Sequence, residues 1–140
     1  MRIYLASGLD NIRVVQQVRD ALLREGHTIS YDWTTHGRVK GKEHKLAKTA
    51  IQELQGVEKA DAVFVLLPGA AGTHTELGYA LAKNIPVFVF GEESDFDSER
   101  GKSTSFYFHP NVVQRVVCHT GIVNHVLLTL RQLENEEIVI

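Results

Sequence analysis

The chain has 140 residues, with 15 lysine and arginine against 17 aspartate and glutamate residues, and 44% of it is hydrophobic. This size and apolar content indicate one globular domain over residues 1–140 and argue against a disordered chain. The formal charge of −2 disfavours a nucleic-acid partner, and no apolar run approaches the roughly 18 residues of a membrane span. The single cysteine, Cys118, excludes an intrachain disulfide framework, so we expect a cytoplasmic protein.

Short apolar runs alternate with helical patterns along the chain. Strands are predicted over residues 2–6, 28–32, 62–67, 86–90 and 112–118. Helices are predicted from an N-cap at Asp10 to Gly26, then over 42–59, 73–83 and 121–134. This alternation predicts a three-layer α/β fold of the Rossmann or flavodoxin type. Its five-stranded parallel sheet has the order 2-1-3-4-5, with helices on both faces.

In such a sheet, ligands bind beyond the carboxyl ends of the strands. The site is therefore expected to gather residues 4–8, 68–76 and the pair Asp32 and Trp33. Asp32 follows the second strand, where it is either a ribose-binding acid or a turn-forming residue. Residues 6–11 lack the pattern Gly-x-Gly-x-x-Gly, which argues against a nicotinamide cofactor.

A glycine-rich turn leads from the third strand into the next helix. Its glycines, Gly69 and Gly72, allow the backbone to approach a ligand, and the helix N-terminus favours negative charge. Thr73 and Glu76 have the spacing of a capping box, in which Glu76 bonds to the Thr73 backbone. Glu76 is also a candidate nucleophile, kept ionised by the helix terminus. Spacing alone favours capping.

Glu53 lies on the helix predicted over 42–59, where a solvated glutamate is the commoner interpretation. If it faces the cleft, Glu53 and Glu76 form a pair that divides the roles of nucleophile and proton donor. The seven histidines, among them His36, His44 and His74, match no metal-binding spacing. We therefore expect neither a metal nor an organic cofactor.

Residues 92–110 form a long stretch without a helical or strand pattern, which is typical of a lid or binding loop. It contains Ser103 and Ser105, followed by three aromatic residues at 106–108. The end of the chain, 136–140, is also apolar in part. Either apolar segment suits the core or an interface between subunits.

Three segments together resemble the nucleoside 2-deoxyribosyltransferases and the related 2′-deoxynucleoside 5′-monophosphate N-hydrolases: residues 3–8, 60–65 and 72–80. The resemblance implies cleavage of the N-glycosidic bond through a covalent deoxyribosyl-enzyme, with Glu76 as the nucleophile. It also implies that Tyr4 lies beside Glu76 and that Glu53 faces the base, although the family usually has Asp at that position.

The resemblance further implies a substrate held by the turns around the nucleophile. The residues expected there are Ser7, Gly8, Asn11, Asp32, Trp33, Gly69, Gly72 and Thr73. Family members complete each site from a neighbouring subunit, so a homodimer or larger homo-oligomer is expected, with Ser103 or Ser105 in that role. At Ala70 the transferases often carry Asp and the hydrolases Ser, so the choice between nucleoside and monophosphate stays open.

Two alternatives remain open. Residues 68–76 also resemble the motif Pro-Gly-Gly-x-Gly-Thr-x-x-Glu of cytokinin-activating phosphoribohydrolases, although the earlier glycine-rich motif of that family is missing. The second alternative is a nucleotide-binding or sensing module without turnover, which the absence of a polar side chain at Ala70 favours.

Overall fold

The computed structural model describes residues 1–101 and 103–135. They form a parallel sheet of five strands in the order β2-β1-β3-β4-β5, which confirms the predicted fold class and strand order. The strands are β1 (Arg2–Ser7), β2 (Thr28–Ile29), β3 (Ala62–Leu66), β4 (Val87–Gly91) and β5 (Val112–Val117). The helices are α1 (Ile12–Arg24), α2 (Glu43–Lys59), α3 (Ala71–Ala82) and α4 (Ile122–Glu134).

The core lies around the two central strands. Every residue of β3 and β4 is buried, as expected for parallel strands that are covered by helices on both faces. Phe64 packs against Phe88 and Phe90, each at 5.3 Å between ring centroids. Helix α1 lies against α4, and α2 lies against α3. No helix within residues 1–101 and 103–135 is long and apolar enough to cross a bilayer.

Two boundaries differ from the sequence prediction. Strand β2 ends at Ile29, earlier than predicted, and the Trp33 indole that follows donates a hydrogen bond to the Leu5 carbonyl of β1 at 2.7 Å. Asp10 is not the N-cap of α1. It lies inside a 3₁₀ turn, and Asn11 occupies the N-cap position. The predicted end of α1 is confirmed, since Gly26 adopts the left-handed conformation with φ +87°.

Helix α2 packs against the sheet only through its C-terminal part. Gly56 and Val57 are its buried residues, whereas Leu46 and Ile51 are 46% and 58% exposed. The apolar positions in its first half therefore face away from the core. Part of this exposed half forms a wall of the cavity described below.

Gly56 allows α2 to approach the sheet closely. A Cβ atom at this position would lie 2.5 Å from the Tyr31 Cβ and 3.1 Å from the Tyr4 ring. The backbone of α2 thus packs directly on these two tyrosines. Glu53, one helical turn earlier, is brought to the carboxyl edge of the sheet by this contact.

We expect Gly56→Ala to lower the free energy of unfolding by about 1–3 kcal/mol, because the added methyl overpacks the contact with Tyr31. Gly78→Ala in α3 is the matched control, since its Cβ would meet no atom within 4 Å. That change should stabilise the protein by about 0.5–1 kcal/mol through the higher helix propensity of alanine. Urea unfolding of both variants measures the difference, and equal effects would contradict the packing argument.

Candidate active site

A cavity of about 520 Å³ opens at the carboxyl edge of the sheet. It lies where β1 and β3 end and α3 begins, which is the predicted position for a ligand in this fold. The exposed half of α2 closes one side. Its lining comprises residues 7–11, Trp33, residues 36–39, Leu46, Thr49, Ala50, Glu53, residues 68–73 and Glu76.

Glu76 lies at the bottom of this cavity, with 6% of its surface exposed. The hydroxyl of Tyr4, on the neighbouring strand β1, donates a hydrogen bond to Oε2 of Glu76 at 2.6 Å. Burial, together with the nearby Glu76 carboxyl, holds the pKa of Tyr4 well above its usual range. Tyr4 therefore stays protonated and acts as a fixed donor to Glu76.

The predicted capping box between Thr73 and Glu76 is wrong. Helix α3 begins at Ala71, two residues earlier than predicted, so Thr73 is its third residue and not its cap. The Thr73 hydroxyl instead accepts a hydrogen bond from the Ala70 N–H at 3.0 Å. Glu76 consequently lies in the second turn, where the backbone N–H groups have partners within the helix, and its side chain is directed to Tyr4.

Glu53 approaches Glu76 from α2, and the two carboxyl groups interact. Burial raises the pKa of Glu76 to about 8. The neighbouring Glu53 raises this pKa further, whereas the hydrogen bond from Tyr4 lowers it. Burial also raises the pKa of Glu53, although the hydrogen bond with Glu76 and the nearby His36 act against this. Both shifts favour retention of a proton by the pair, which is opposite in direction to the effect expected of the helix terminus.

The floor of the cavity is a set of short bonds between the ends of β1 and β3. The Ser7 hydroxyl donates to the Leu66 carbonyl at 2.6 Å and accepts from the Asn11 amide at 2.9 Å. The Gly8 N–H donates to the Pro68 carbonyl at 3.2 Å. Ser7 and Asn11 thus line the cavity as predicted, and their side chains also hold its shape.

The glycine-rich turn forms the adjoining wall. A Cβ at Gly69 would lie 2.8 Å from the Thr73 Cγ2, whereas one at Gly72 would meet nothing within 4 Å. Across residues 1–101 and 103–135, the N–H groups of Ala71, Gly72 and Thr73 have no hydrogen-bond partner. Three donors at a helix N-terminus therefore border the cavity and favour a negatively charged ligand.

Three of the predicted binding residues lie outside the cavity lining. Asp32 accepts from Arg19 at 2.9 Å and from the Thr34 N–H at 3.0 Å, which is the turn-forming alternative. Its carboxylate is not in the cavity lining, nor are the side chains of Ser103 and Ser105. The apolar tail at 136–140 lies outside the described residues. Trp33 does line the cavity, with its N–H already bonded to Leu5.

Arg38 and the exposed half of α2 were not among the predicted site residues. Arg38 and His36 border the cavity because the loop after β2 ends at the same edge of the sheet as β1 and β3. The position of this loop after β2 could have placed Arg38 near the site, but the loop carries no recognisable motif. Within the described ranges, no group of three or more His, Cys, Asp or Glu side chains could hold a metal ion.

The sequence profile of the nucleoside 2-deoxyribosyltransferases matches residues 3–112, which is more than half of the chain. The chain belongs to the nucleoside 2-deoxyribosyltransferase family. The matched region contains Tyr4, Glu53 and Glu76 and ends at the beginning of β5. No curated protein matches the chain significantly.

Three solved structures share the fold at low sequence identity. CMP N-glycosidase BcmB from Clostridium botulinum is 14% identical, with a TM-score of 0.62 over 92% of this chain and 99% of that one. A 2-deoxyribosyltransferase from Bacillus psychrosaccharolyticus is 21% identical, with a TM-score of 0.66 over 90% of each chain. A conserved protein from Enterococcus faecalis is 22% identical, with a TM-score of 0.59 over 94% and 98%.

The raised pKa of Glu76 predicts a pH-dependent stability. Because its folded-state pKa of about 8 exceeds its ordinary value of 4.5, folding binds a proton between these values. The free energy of unfolding should therefore fall as the pH rises from 4.5 to 8, by on the order of a few kcal/mol. Glu76→Gln should remove most of this decline and leave only the smaller part that comes from the raised pKa of Glu53, and urea unfolding across the pH range measures the difference.

Glu58→Gln is the control for this measurement, because Glu58 lies exposed on α2 and pairs with Lys83 at the protein surface. It should leave the decline unchanged. A wild-type protein whose stability does not fall over this range would contradict the raised pKa of Glu76.

Proposed function

We propose that the protein cleaves the N-glycosidic bond of a 2′-deoxynucleoside 5′-monophosphate, or of the corresponding nucleoside, through a covalent intermediate on Glu76. The observation that carries the proposal is the buried Glu76, which lies beside the half-buried Glu53 in an open cavity and accepts a hydrogen bond from Tyr4. Membership of the nucleoside 2-deoxyribosyltransferase family supports this reaction class.

The pair of carboxyl groups suggests how one proton serves the first step. Burial favours the proton of the pair on Glu76. The attacking form is the one in which that proton has moved to Glu53 and Glu76 is ionised. A Glu76 oxygen bonds to C1′ on the face opposite the base, and the C1′–N bond breaks with its electrons moving to the base. Glu53, or a water that it holds, gives the proton to the departing base.

The second step reverses the roles. Glu53, now ionised, accepts a proton from a water molecule or from an incoming base, which attacks C1′ and displaces Glu76. Water gives hydrolysis, and a second base gives transfer. Tyr4 holds the Glu76 carboxylate at 2.6 Å in both steps and stabilises its charge as the bond to C1′ breaks.

Two features favour a phosphorylated substrate over a neutral nucleoside. Arg38 borders the cavity, and so does the first turn of α3, whose N–H groups have no partner within residues 1–101 and 103–135. Ala70 adds no carboxylate that would repel a phosphate. We propose that Gly72 and Thr73 bind the sugar phosphate through their backbones and that the Trp33 ring packs against the base.

We also propose that the protein acts as a homodimer or larger homo-oligomer with shared sites. Leu46 and Ile51 on α2 and Phe106 beyond β4 are large exposed apolar side chains, which a subunit interface would cover. Ser103 and Ser105 lie outside the cavity of their own chain, so a role in a neighbouring site remains their proposed function.

Glu76→Gln should reduce base release at least about a thousandfold, because the amide is not a nucleophile, while leaving the fold intact. Glu53→Gln should slow the reaction about a hundredfold or more through loss of the proton donor. Chromatography of deoxynucleosides, ribonucleosides and their monophosphates, each with and without a free acceptor base, measures these rates.

The same assay separates the alternatives. Cleavage of ribonucleoside monophosphates alone would favour the phosphoribohydrolase interpretation, and binding without release of any base would favour a sensing module. Full activity of Glu76→Gln would refute the nucleophile assignment.

Arg38→Gln should lower kcat/KM for a deoxynucleoside monophosphate about tenfold, because one charge-assisted hydrogen bond to the phosphate is lost. The kcat/KM for the corresponding nucleoside should be unchanged. Arg131→Gln on α4 is the matched control, because Arg131 is exposed and lies outside the cavity lining. Equal losses on both substrates would contradict a phosphate-specific role for Arg38.

A further inference from the structure

In the glycine-rich turn, both the N–H and the carbonyl of Ala70 make hydrogen bonds. Its N–H donates to the Thr73 hydroxyl at 3.0 Å. Its carbonyl accepts from the His74 backbone N–H at 3.2 Å and contacts the His74 Nδ1 at 2.9 Å. The orientation of this peptide sets the direction of the free N–H groups that follow it.

The contacts of the His74 ring assign its protons. Because a carbonyl only accepts, Nδ1 carries a hydrogen that it donates to Ala70. In the neutral ring Nε2 is then an acceptor, and the Tyr107 hydroxyl donates to it at 2.7 Å. A continuous chain of hydrogen bonds thus runs from Tyr107 through His74 to Ala70. The His74 ring also backs Gly69, since a Cβ there would lie 3.2 Å from its Cε1.

Tyr107 is itself firmly placed, although it belongs to the long segment between β4 and β5. Only 3% of its surface is exposed, and it lies in a 3₁₀ turn, Ser105–Phe108. Its ring packs edge-on against Phe96 at 6.0 Å, and its carbonyl accepts from Arg115 at 3.2 Å. The hydroxyl that reaches His74 is therefore held by contacts with the same segment and with β5.

We propose that His74 and Tyr107 are positioning residues that fix the glycine-rich turn for substrate binding. The turn Ser105–Phe108 then supports the site through Tyr107, in addition to any role of this segment in a neighbouring subunit. The pair also holds the turn at Ala70, which has no polar side chain of its own. The effect on catalysis rests on the proposed function, whereas the effect on the turn does not.

The decisive variant is Tyr107→Phe, which removes the hydroxyl and keeps the ring packed against Phe96. Amide exchange measured by NMR at Ala70 and His74 should accelerate about 3- to 10-fold, the factor expected for one net hydrogen bond. Tyr79→Phe on α3 is the matched control, because the Tyr79 hydroxyl makes no hydrogen bond within the described residues. It should leave exchange at both positions unchanged.

His74→Asn tests the same chain from its centre, since its amide can still reach the Ala70 carbonyl but not Tyr107. If the residues act as one unit, the double variant should show the effect of one single variant and not the product of both. Unchanged exchange at Ala70 and His74 in Tyr107→Phe, or multiplicative effects in the double variant, would overturn the proposal.

Substrate kinetics add a second readout. The KM of Tyr107→Phe should rise about 3- to 10-fold with kcat within twofold of wild type, because the turn binds the substrate and does not react. A fall in kcat at unchanged KM would also overturn the positioning role. If the wild type releases no base from any substrate, the proposed function fails, and the exchange measurement still decides this proposal.

Discussion

The bond from Tyr4 to Glu76 is the interaction on which the candidate site depends. A buried carboxyl group is unfavourable unless its oxygens are satisfied, and Tyr4 supplies a donor from a fully buried position on β1. The bond joins β1 to α3 over 72 positions of sequence. It can form only because α3 begins early enough for Glu76 to lie in its second turn.

The second carboxyl group, on Glu53, makes ionisation of the pair less favourable and keeps a proton in the site. Glu53 lies close to Glu76 because Gly56 lets the α2 backbone pack on Tyr4. Two such groups cannot both ionise easily, so the pair retains a proton and its pKa values rise. A purely structural core has no need of this pair. An enzyme that must first attack with a carboxylate and then donate a proton does need it.

Around this pair, the rest of the cavity consists of backbone and small side chains. The turns after β1 and β3 bond to each other through Gly8 and Ser7, and three N–H groups at the start of α3 have no partner in the described part of the chain. Support for these turns comes from more distant residues, among them His74 and Tyr107. The exposed half of α2 completes the wall and leaves apolar surface available for a second subunit.

The sequence by itself determined the order of the elements, the parallel sheet and the edge of the sheet at which the cavity opens, because hydrophobic periodicity and turn residues are local signals. It also singled out Glu76 and Tyr4, through a motif and a resemblance. Only the tertiary structure decided that Glu76 turns to Tyr4 instead of capping its helix, that Asp32 pairs with Arg19, and that Arg38 borders the cavity. Each of these depends on contacts between segments that are distant in sequence. Close packing fixes these contacts, and it produces no periodic pattern in the sequence from which they could be predicted.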